Sequence, residues 1–263
     1  MLALIVSAVT VGGCATGPAA EVTAGGDAAS PTAAATADAA ATSPASSAAQ
    51  EAEGAEPVQP TASADPASDR AVDVLATLPV KGRAAKTGYS RTEFGRGWKD
   101  PDHNGCDARN DVLARDLVDT TRKGDCTVLT GTLHDPYTGG DIAFTRGAKT
   151  SEAVQIDHVV ALSDAWQKGA QQLSADMRVD LANDPLELIA VDGPTNTSKS
   201  DGDAATWLPP DTGFRCEYVA RQIAVKASYG LWVTEAERDA MGGVLAGCPD
   251  QRVGDSTLHP RAR

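Results

Sequence analysis

Ile156-Asp157-His158-Val159-Val160 and, further along, Asn196-Thr197-Ser198-Lys199 are the two stretches that decide how this chain is interpreted. The Asp-His pair ends an apolar, β-branched run, which predicts that it lies where a strand passes into a loop. Metal-assisted hydrolysis of a phosphodiester needs a base for water and oxygen ligands that hold a divalent cation at the phosphate. We interpret His158 as the base, and Asp157 and Asn196 as oxygen ligands of Mg²⁺ or Mn²⁺.

Motifs of the same character extend well beyond these two stretches. They are Asp157-His158-Val159-Val160, Leu186-Glu187-Leu188, Asn196-Thr197-Ser198-Lys199-Ser200-Asp201, Tyr89-Ser90-Arg91, Phe94-Gly95, Trp98, Cys106-Asp107-Ala108-Arg109-Asn110-Asp111, Asp135-Pro136-Tyr137-Thr138-Gly139 and Ala205-Thr206-Trp207-Leu208-Pro209. Together they resemble the HNH endonuclease family, in a secreted bacterial branch related to the C-terminal domain of GmrSD-type restriction nucleases. The resemblance runs from Tyr89 to the last helix. It has one departure, Glu187, where the family usually has an asparagine that supports the loop carrying the base.

The resemblance implies an α+β fold. Its centre is an HNH-type ββα-metal core, to which an N-terminal β-hairpin and helix and C-terminal helices are added. It also implies weakly sequence-specific hydrolysis of DNA, with RNA as an alternative substrate, and products that carry 5′-phosphates. Lys199 is a candidate for neutralising the phosphate or the leaving oxygen, with a solvated lysine as the alternative. Because the base must be a neutral imidazole, activity is expected to fall below about pH 6.

Arg109 is a second candidate for contact with the phosphate. It lies in the first turn of a helix predicted over Asp107–Asp119, where backbone N–H groups and a guanidinium can meet an anion. Pairing of Arg109 with a nearby aspartate is the alternative. The segment Tyr89–Trp98 is interpreted as a packing strap, with phosphate contact by Arg91 or Arg96 as the alternative.

The five cysteines indicate an oxidising compartment. Cys14 stands alone, and the other four form an even set. We predict the disulfides Cys106–Cys126 and Cys216–Cys248, because each pair brackets one compact local segment. A zinc site made by all four is the alternative, but no C-x₂-C pair is present.

The N-terminal part predicts export and a tether. Residues 1–14 fit a lipoprotein signal peptide that ends in a lipobox-like Val11-Gly12-Gly13-Cys14, with an ordinary secretory signal as the alternative. Residues 15–70, rich in Ala, Ser, Thr and Pro, predict a disordered linker. We therefore expect a monomer held by a lipid on Cys14 at the outer face of the bacterial cell membrane. Its catalytic domain is expected over residues 71–250, followed by a flexible tail over 251–263.

An acidic loop precedes the helix predicted over Asp107–Asp119. Its residues Asp100, Asp102, Asn104 and Asp111 have the D-x-D-x-N-G spacing of a calcium loop, with a glycine at the sharp turn. A structural Ca²⁺ is one interpretation. An acidic turn that caps the following helix is the other.

The remaining pattern predicts alternating strands and helices. We expect strands over 127–133, 141–145, 154–157 and 186–191, and helices over 70–78, 163–169, 174–181, 213–229 and from Thr234 onward. The two helices at 163–169 and 174–181 fall between the two strands of the predicted ββα unit.

The formal net charge of −13 argues against a regulator that binds DNA tightly and only weakly against a nuclease. Two other functions remain open. One is an inactive envelope lipoprotein that keeps the HNH fold as a binding module, which Glu187 and the acidic domain favour. The other is a calcium-binding adhesion module centred on residues 100–111.

Overall fold

Two small antiparallel sheets and seven α-helices make up residues 69–261, the part of the chain that the computed structural model describes. The predicted signal peptide with Cys14 and nearly all of the predicted linker lie outside the described residues. Within residues 69–261, no helix combines the length and apolar character that crossing a membrane requires. The predicted α+β fold class is confirmed.

Helices and strands alternate along the folded part of the chain. In chain order they are α1 (Ala71–Thr77), α2 (Ala108–Asp116), β1 (Leu117–Lys123), β2 (Thr127–His134), β3 (Asp141–Thr145), β4 (Val154–His158), α3 (Leu162–Gln167), α4 (Ala175–Asn183), β5 (Leu188–Asp192), α5 (Gly193–Lys199), α6 (Arg215–Ser228) and α7 (Glu235–Leu245). The first sheet has the order β1-β2-β3, and the second consists of β4 and β5.

The first sheet has one strand more than the predicted hairpin. Asp107 caps α2 as predicted, since its side chain accepts a hydrogen bond from the backbone N–H of Asn110 at 2.9 Å. The helix predicted as far as Asp119 is wrong in its last turn, because α2 ends at Asp116 and the chain continues directly as β1. The β-branched residues that follow suit a strand, and Thr121 bonds across to Thr130 at 2.6 Å.

The second sheet places the Asp-His pair. Strand β4 pairs antiparallel with β5, so that Asp157 lies opposite Ile189 and His158 opposite Leu188. Helices α3 and α4 are inserted between the two strands, as predicted. Helix α5 follows β5 at once and begins at Gly193, where a Cβ would stand 2.0 Å from the carbonyl oxygen of Glu152. Only glycine allows this close approach of α5 to the segment before β4.

Helix α6 is the centre of the larger hydrophobic core. Its buried face includes Val219, Ile223 and Val225, and α1 packs against both α6 and α7. Helix α7 begins with a capping box, in which Thr234 and Glu237 satisfy each other's backbone N–H groups. Both predicted disulfides are present. Cys106–Cys126 joins the segment before α2 to the turn after β1, and Cys216–Cys248 joins α6 to the segment after α7.

The C-terminal segment differs from the predicted flexible tail over 251–263. The backbone N–H of Val253 donates to the carbonyl of Asp69 at 2.9 Å, and the guanidinium of Arg261 pairs with the carboxylate of Asp69 at 3.2 Å. Val253, Ser256 and Arg261 are all buried. Among the described residues, the folded unit therefore extends over 69–261, because the tail bonds to Asp69 just before α1 and buries three of its side chains.

Candidate active site

A polar cavity of about 420 Å³ lies at the end of β4 and beside α5. We call it the polar cavity. It is lined by Lys86, Tyr89, Arg91, Gln155, Ile156, Asp157, His158, Ala161, Leu162, Ser163, Asn196, Ser200 and Asp201. The three residues that the sequence singled out as base and metal ligands, Asp157, His158 and Asn196, thus meet at one cavity. They come from one strand and from the helix that follows its partner strand.

The imidazole of His158 is held by the inserted helix α4. Its Nε2 lies 3.0 Å from the carbonyl oxygen of Ala182. A carbonyl oxygen only accepts, so Nε2 carries the hydrogen and Nδ1 keeps a free lone pair. The ring of Trp98 lies parallel to the imidazole, with centroids 5.9 Å apart and planes 9° apart. Both contacts fix the orientation of a nitrogen that can accept a proton.

The surroundings of His158 favour its neutral form. Burial lowers its pKa from 6.5 to about 3, and the positive charges of Arg91 and Lys199 act in the same direction. The hydrogen bond to Ala182 opposes this shift without cancelling it. A neutral imidazole is the form that a general base requires.

Asp157 is a buried carboxylate with two partners. Its Oδ2 accepts from the hydroxyl of Tyr137 at 2.5 Å, and its Oδ1 accepts from the ammonium of Lys199 at 3.0 Å. Burial raises the pKa of Tyr137 well above 10, and Asp157 adds to that shift, so the phenol stays protonated as a donor. Each carboxylate oxygen keeps further lone pairs that a cation can use.

Lys199 does not face the polar cavity. Its side chain is fully buried, and its ammonium also donates to the backbone carbonyl of His158 at 2.8 Å. The structure therefore differs from both interpretations of Lys199, the phosphate-facing group and the solvated lysine. Its contacts orient and neutralise Asp157 and hold the end of β4 to α5.

Asn196 lines the polar cavity, and its Nδ2 donates to the Oε1 of Gln155 at 3.0 Å. Among the described residues, no hydrogen bond reaches the Oδ1 of Asn196. Gln155 precedes Asp157 on the same face of β4, so the sequence could have suggested it from strand period alone.

The donors at this cavity fit a hydrated Mg²⁺ rather than a metal held wholly by protein. Residues 69–261 contain no group of three or more His, Cys, Asp or Glu side chains arranged around a common metal position. Asp157 and Asn196 instead supply one carboxylate and one amide oxygen, which suits an ion that keeps several waters. Because Lys199 already offsets the charge of Asp157, binding of the cation should be weak.

Glu187 supports the loop that follows His158. Its Oε2 accepts from the backbone N–H of Val160 at 3.1 Å, and its backbone carbonyl accepts from Val159 at 3.0 Å. The side chain is fully buried, and burial raises its pKa well above 4.5. Glu187 thus meets the structural requirement that the resemblance places on this position.

Arg91, not Arg109, lies beside the imidazole. Arg109 does not line the polar cavity; it lies near Arg146 and Asp107, and burial with the charge of Arg146 lowers its pKa. The exposed side chain of Arg91 lines the cavity, and its guanidinium makes no hydrogen bond or ion pair with the residues that the structure describes. The contact that the sequence offered only as an alternative for Arg91 is therefore geometrically available.

The predicted calcium loop has the geometry of an acidic turn. Asp100 accepts from the backbone N–H of Gly105 at 2.9 Å, and Asp102 accepts from the side chain of Asn104 at 3.0 Å. Asn104 accepts in turn from the N–H of Cys106 at 2.7 Å, and its amide donates to Asp111 at 3.3 Å. These side chains close the turn before α2, and a Ca²⁺ bound at this loop stays a prediction.

A second, smaller cavity adjoins the polar cavity across His158. We call it the aromatic cavity. Its volume is about 140 Å³, and it is lined by Arg91, Phe94, Gly95, Gly97, Trp98, His158, Leu162, Ala182 and Asn183. His158, Arg91 and Leu162 line both cavities. The imidazole therefore forms part of the wall between them.

Comparison with known proteins places this geometry in a family. The family model described as GmrSD restriction endonucleases, C-terminal domain, matches residues 107–244. A protein of Arthroderma benhamiae described as an uncharacterized secreted protein is 35% identical over 191 residues, which cover 72% of this chain and 90% of that protein. No solved structure matches. This relative is fungal, so a specifically bacterial branch does not follow. The chain belongs to the nuclease-related family of the GmrSD restriction endonuclease C-terminal domain.

Proposed function

We propose that this protein is a secreted, metal-dependent endonuclease with an HNH-type ββα site. It hydrolyses phosphodiester bonds of DNA, with RNA as an alternative, and has low sequence specificity. One observation carries this proposal: the neutral His158, Asp157 and Asn196 line the same polar cavity. The elements that form this site, β4, β5 and α5, occur in this order along the chain. The nuclease-related family and the secreted relative support it. A lipid on Cys14 remains a prediction on residues outside the described part.

His158 is the general base in this proposal. Its Nδ1 takes a proton from water, while the bond from Nε2 to Ala182 and the ring of Trp98 hold it in place. Asp157 and Asn196 would hold Mg²⁺, which supplies stabilisation of the charge on the phosphate and on the leaving oxygen. Arg91 has a free guanidinium for a phosphate oxygen at the mouth of the cavity.

The rival proposal is a binding module that has lost turnover. Its main support was Glu187 in place of an asparagine. Because Glu187 contacts both residues after His158, the substitution leaves the loop supported. The acidic charge of the chain then remains as the argument for the rival, and only an activity assay separates the two proposals.

Removal of metal and of Asn196 tests the proposed site. The full chain should nick supercoiled plasmid with Mg²⁺ and stop with EDTA. Asn196→Ala should raise the Mg²⁺ concentration for half-maximal rate by about tenfold or more, because one of two protein oxygens is lost. Thr197→Ala, one position along α5 and exposed, is the matched control and should behave as wild type. Cleavage that persists in EDTA would contradict the proposal, and no cleavage by folded, disulfide-intact protein would favour the binding module.

The pH dependence of cleavage should differ from the fall below pH 6 expected from the sequence. A base with a pKa of 6.5 would lose about 25-fold in neutral fraction between pH 7 and pH 5. His158, with its pKa lowered to about 3, stays neutral above that value, so the rate at pH 5 should keep most of its value at pH 7. An inflection near pH 6.5 in the rate at saturating Mg²⁺ would contradict this.

The same shift predicts the direction of the pH effect on stability. The contribution of His158 to the free energy of unfolding is fully present above pH 6.5. It is lost as the pH falls from 6.5 towards 3, because the histidine of the unfolded chain binds a proton at a higher pH than that of the folded protein. Circular dichroism at each pH is therefore the control for the rate measurement, since it separates loss of base from loss of fold.

A further inference from the structure

The space inside the aromatic cavity has no occupant in the chemistry proposed above, although His158, Trp98, Ala182 and Arg91 of its lining take part in that chemistry. The half-buried Trp98 gives it an aromatic wall, Phe94 and Leu162 line it with little exposed surface, and Arg91 and His158 connect it to the polar cavity. A flat, partly apolar group bound there would lie next to a phosphate held at His158. In a polynucleotide, the flat group next to a phosphate is a base.

The charge of the protein limits how it can hold a polynucleotide. With a formal net charge of −13, the chain gains little from the phosphate charges that dominate binding to duplex DNA. Lys86 and Arg91 are the basic side chains among the residues that line the polar cavity. Stacking of bases on aromatic rings supplies affinity that does not depend on net charge, and it is a common source of affinity for single strands.

The burial of the reacting groups also favours a single strand over a duplex. His158 is 6% exposed and Asp157 is 5% exposed, so both lie below the surface. A duplex is stiff, and its phosphates lie on the outside of a broad cylinder that cannot enter a small cavity without deformation. A flexible strand with an unstacked base can enter, and enzymes that act inside a pocket commonly take such a nucleotide.

We propose that the aromatic cavity is a nucleobase subsite and that the substrate is a single-stranded or locally unpaired polynucleotide. The base lies against the half-buried Trp98, and the adjoining phosphate lies in the polar cavity between Arg91 and His158. This deepens the proposed function by naming its substrate class, and rests on it for the placement of the phosphate.

Two glycines allow a matched steric test. Gly97 (φ 67°) and Gly124 (φ 64°) both have left-handed backbone, and a Cβ at either position meets nothing within 4 Å. Asparagine tolerates this backbone better than most residues. Gly97 lines the aromatic cavity, whereas Gly124 lies in the turn between β1 and β2. Gly97→Asn therefore adds a side chain at a position that lines the aromatic cavity, and Gly124→Asn makes the same change away from it.

The test is binding of a fluorescein-labelled oligonucleotide to the full chain in EDTA, read by fluorescence anisotropy. Wild type should bind the single strand about tenfold or more tightly than its duplex. Gly97→Asn should weaken binding of the single strand by about tenfold and leave the duplex unchanged, while Gly124→Asn changes neither. A single strand of abasic nucleotides should bind as weakly as the duplex. If Gly97→Asn does not fold, the half-buried Trp98→Leu replaces it.

Equal affinity for single strand and duplex would overturn the subsite, as would a folded Gly97→Asn variant that binds the single strand like wild type. Since the assay contains no metal, it does not depend on hydrolysis. Preference for single strands without any cleavage in Mg²⁺ would keep the subsite and refute the nuclease. Cleavage in Mg²⁺ without that preference would keep the nuclease and refute the subsite.

Discussion

His158→Ala should lower the rate of phosphodiester cleavage by about 10² to 10⁴, the range that loss of a positioned general base produces. The variant keeps Asp157, Asn196 and Arg91, so binding of metal and phosphate should persist. The loss should therefore appear in the turnover rate under saturating substrate and Mg²⁺. A plasmid or oligonucleotide cleavage assay measures it directly.

A matched control separates the role of the base from general damage. His134, exposed near the end of β2 and paired with Asp141, has no contact with the polar cavity, so His134→Ala should cleave like wild type. Added imidazole should restore part of the activity of the His158 variant, because the space left between Trp98 and Ala182 has the shape of the lost ring. A folded His158→Ala protein with more than about a tenth of the wild-type rate would contradict the assignment.

The β4, β5 and α5 order could be predicted from the sequence because its signals are local. Val154 and Ile156 mark β4, and Gly193-Pro194 marks the start of α5. The disulfide pairing followed from spacing for the same reason. Strand β1 could not be predicted this way, because its polar residues show no apolar alternation and its stability comes from pairing with β2.

Contacts between segments that are far apart in the sequence have no such local pattern from which they could be predicted. Tyr137, in the loop after β2, donates a hydrogen bond to Asp157, and neither spacing nor residue type predicts that bond. A buried ionic cluster joins α3, α6 and α7. It contains Arg83, Asp164, Lys168, Asp203, Lys226 and Glu237, drawn from across the folded unit. Lysines are rarely buried, so the residue type alone does not predict a buried cluster, and Lys199 was likewise expected at the phosphate or in solvent.

Lys199→Met should destabilise the folded protein by about 3 to 5 kcal/mol, the cost of breaking a buried ion pair from one side. The ammonium of Lys199 has no exposure, and Asp157 has little, so water cannot replace the lost partner. Methionine keeps the length of the side chain and limits the loss of packing. Urea denaturation followed by circular dichroism measures the free energy of unfolding.

The exposed pair Lys86–Asp201 provides the matched control. Its nitrogen and oxygen are 3.1 Å apart, close to the 3.0 Å of Lys199–Asp157, but both side chains are about half exposed. Lys86→Met should therefore cost less than about 1 kcal/mol, since water and salt screen the pair. Equal effects of the two substitutions would show that burial does not determine the energetics of Lys199.

A double variant identifies where the cost of Lys199→Met arises. If that cost comes from an unpaired carboxylate, then Asp157→Asn in the Lys199→Met background should recover part of the lost stability, because it removes the charge. If the cost comes from packing, the second substitution should add to the first. Recovery of stability would show that Lys199 acts through the charge of Asp157, to which its ammonium donates a hydrogen bond. The same lysine would then explain why the carboxylate of Asp157 is oriented before any cation binds.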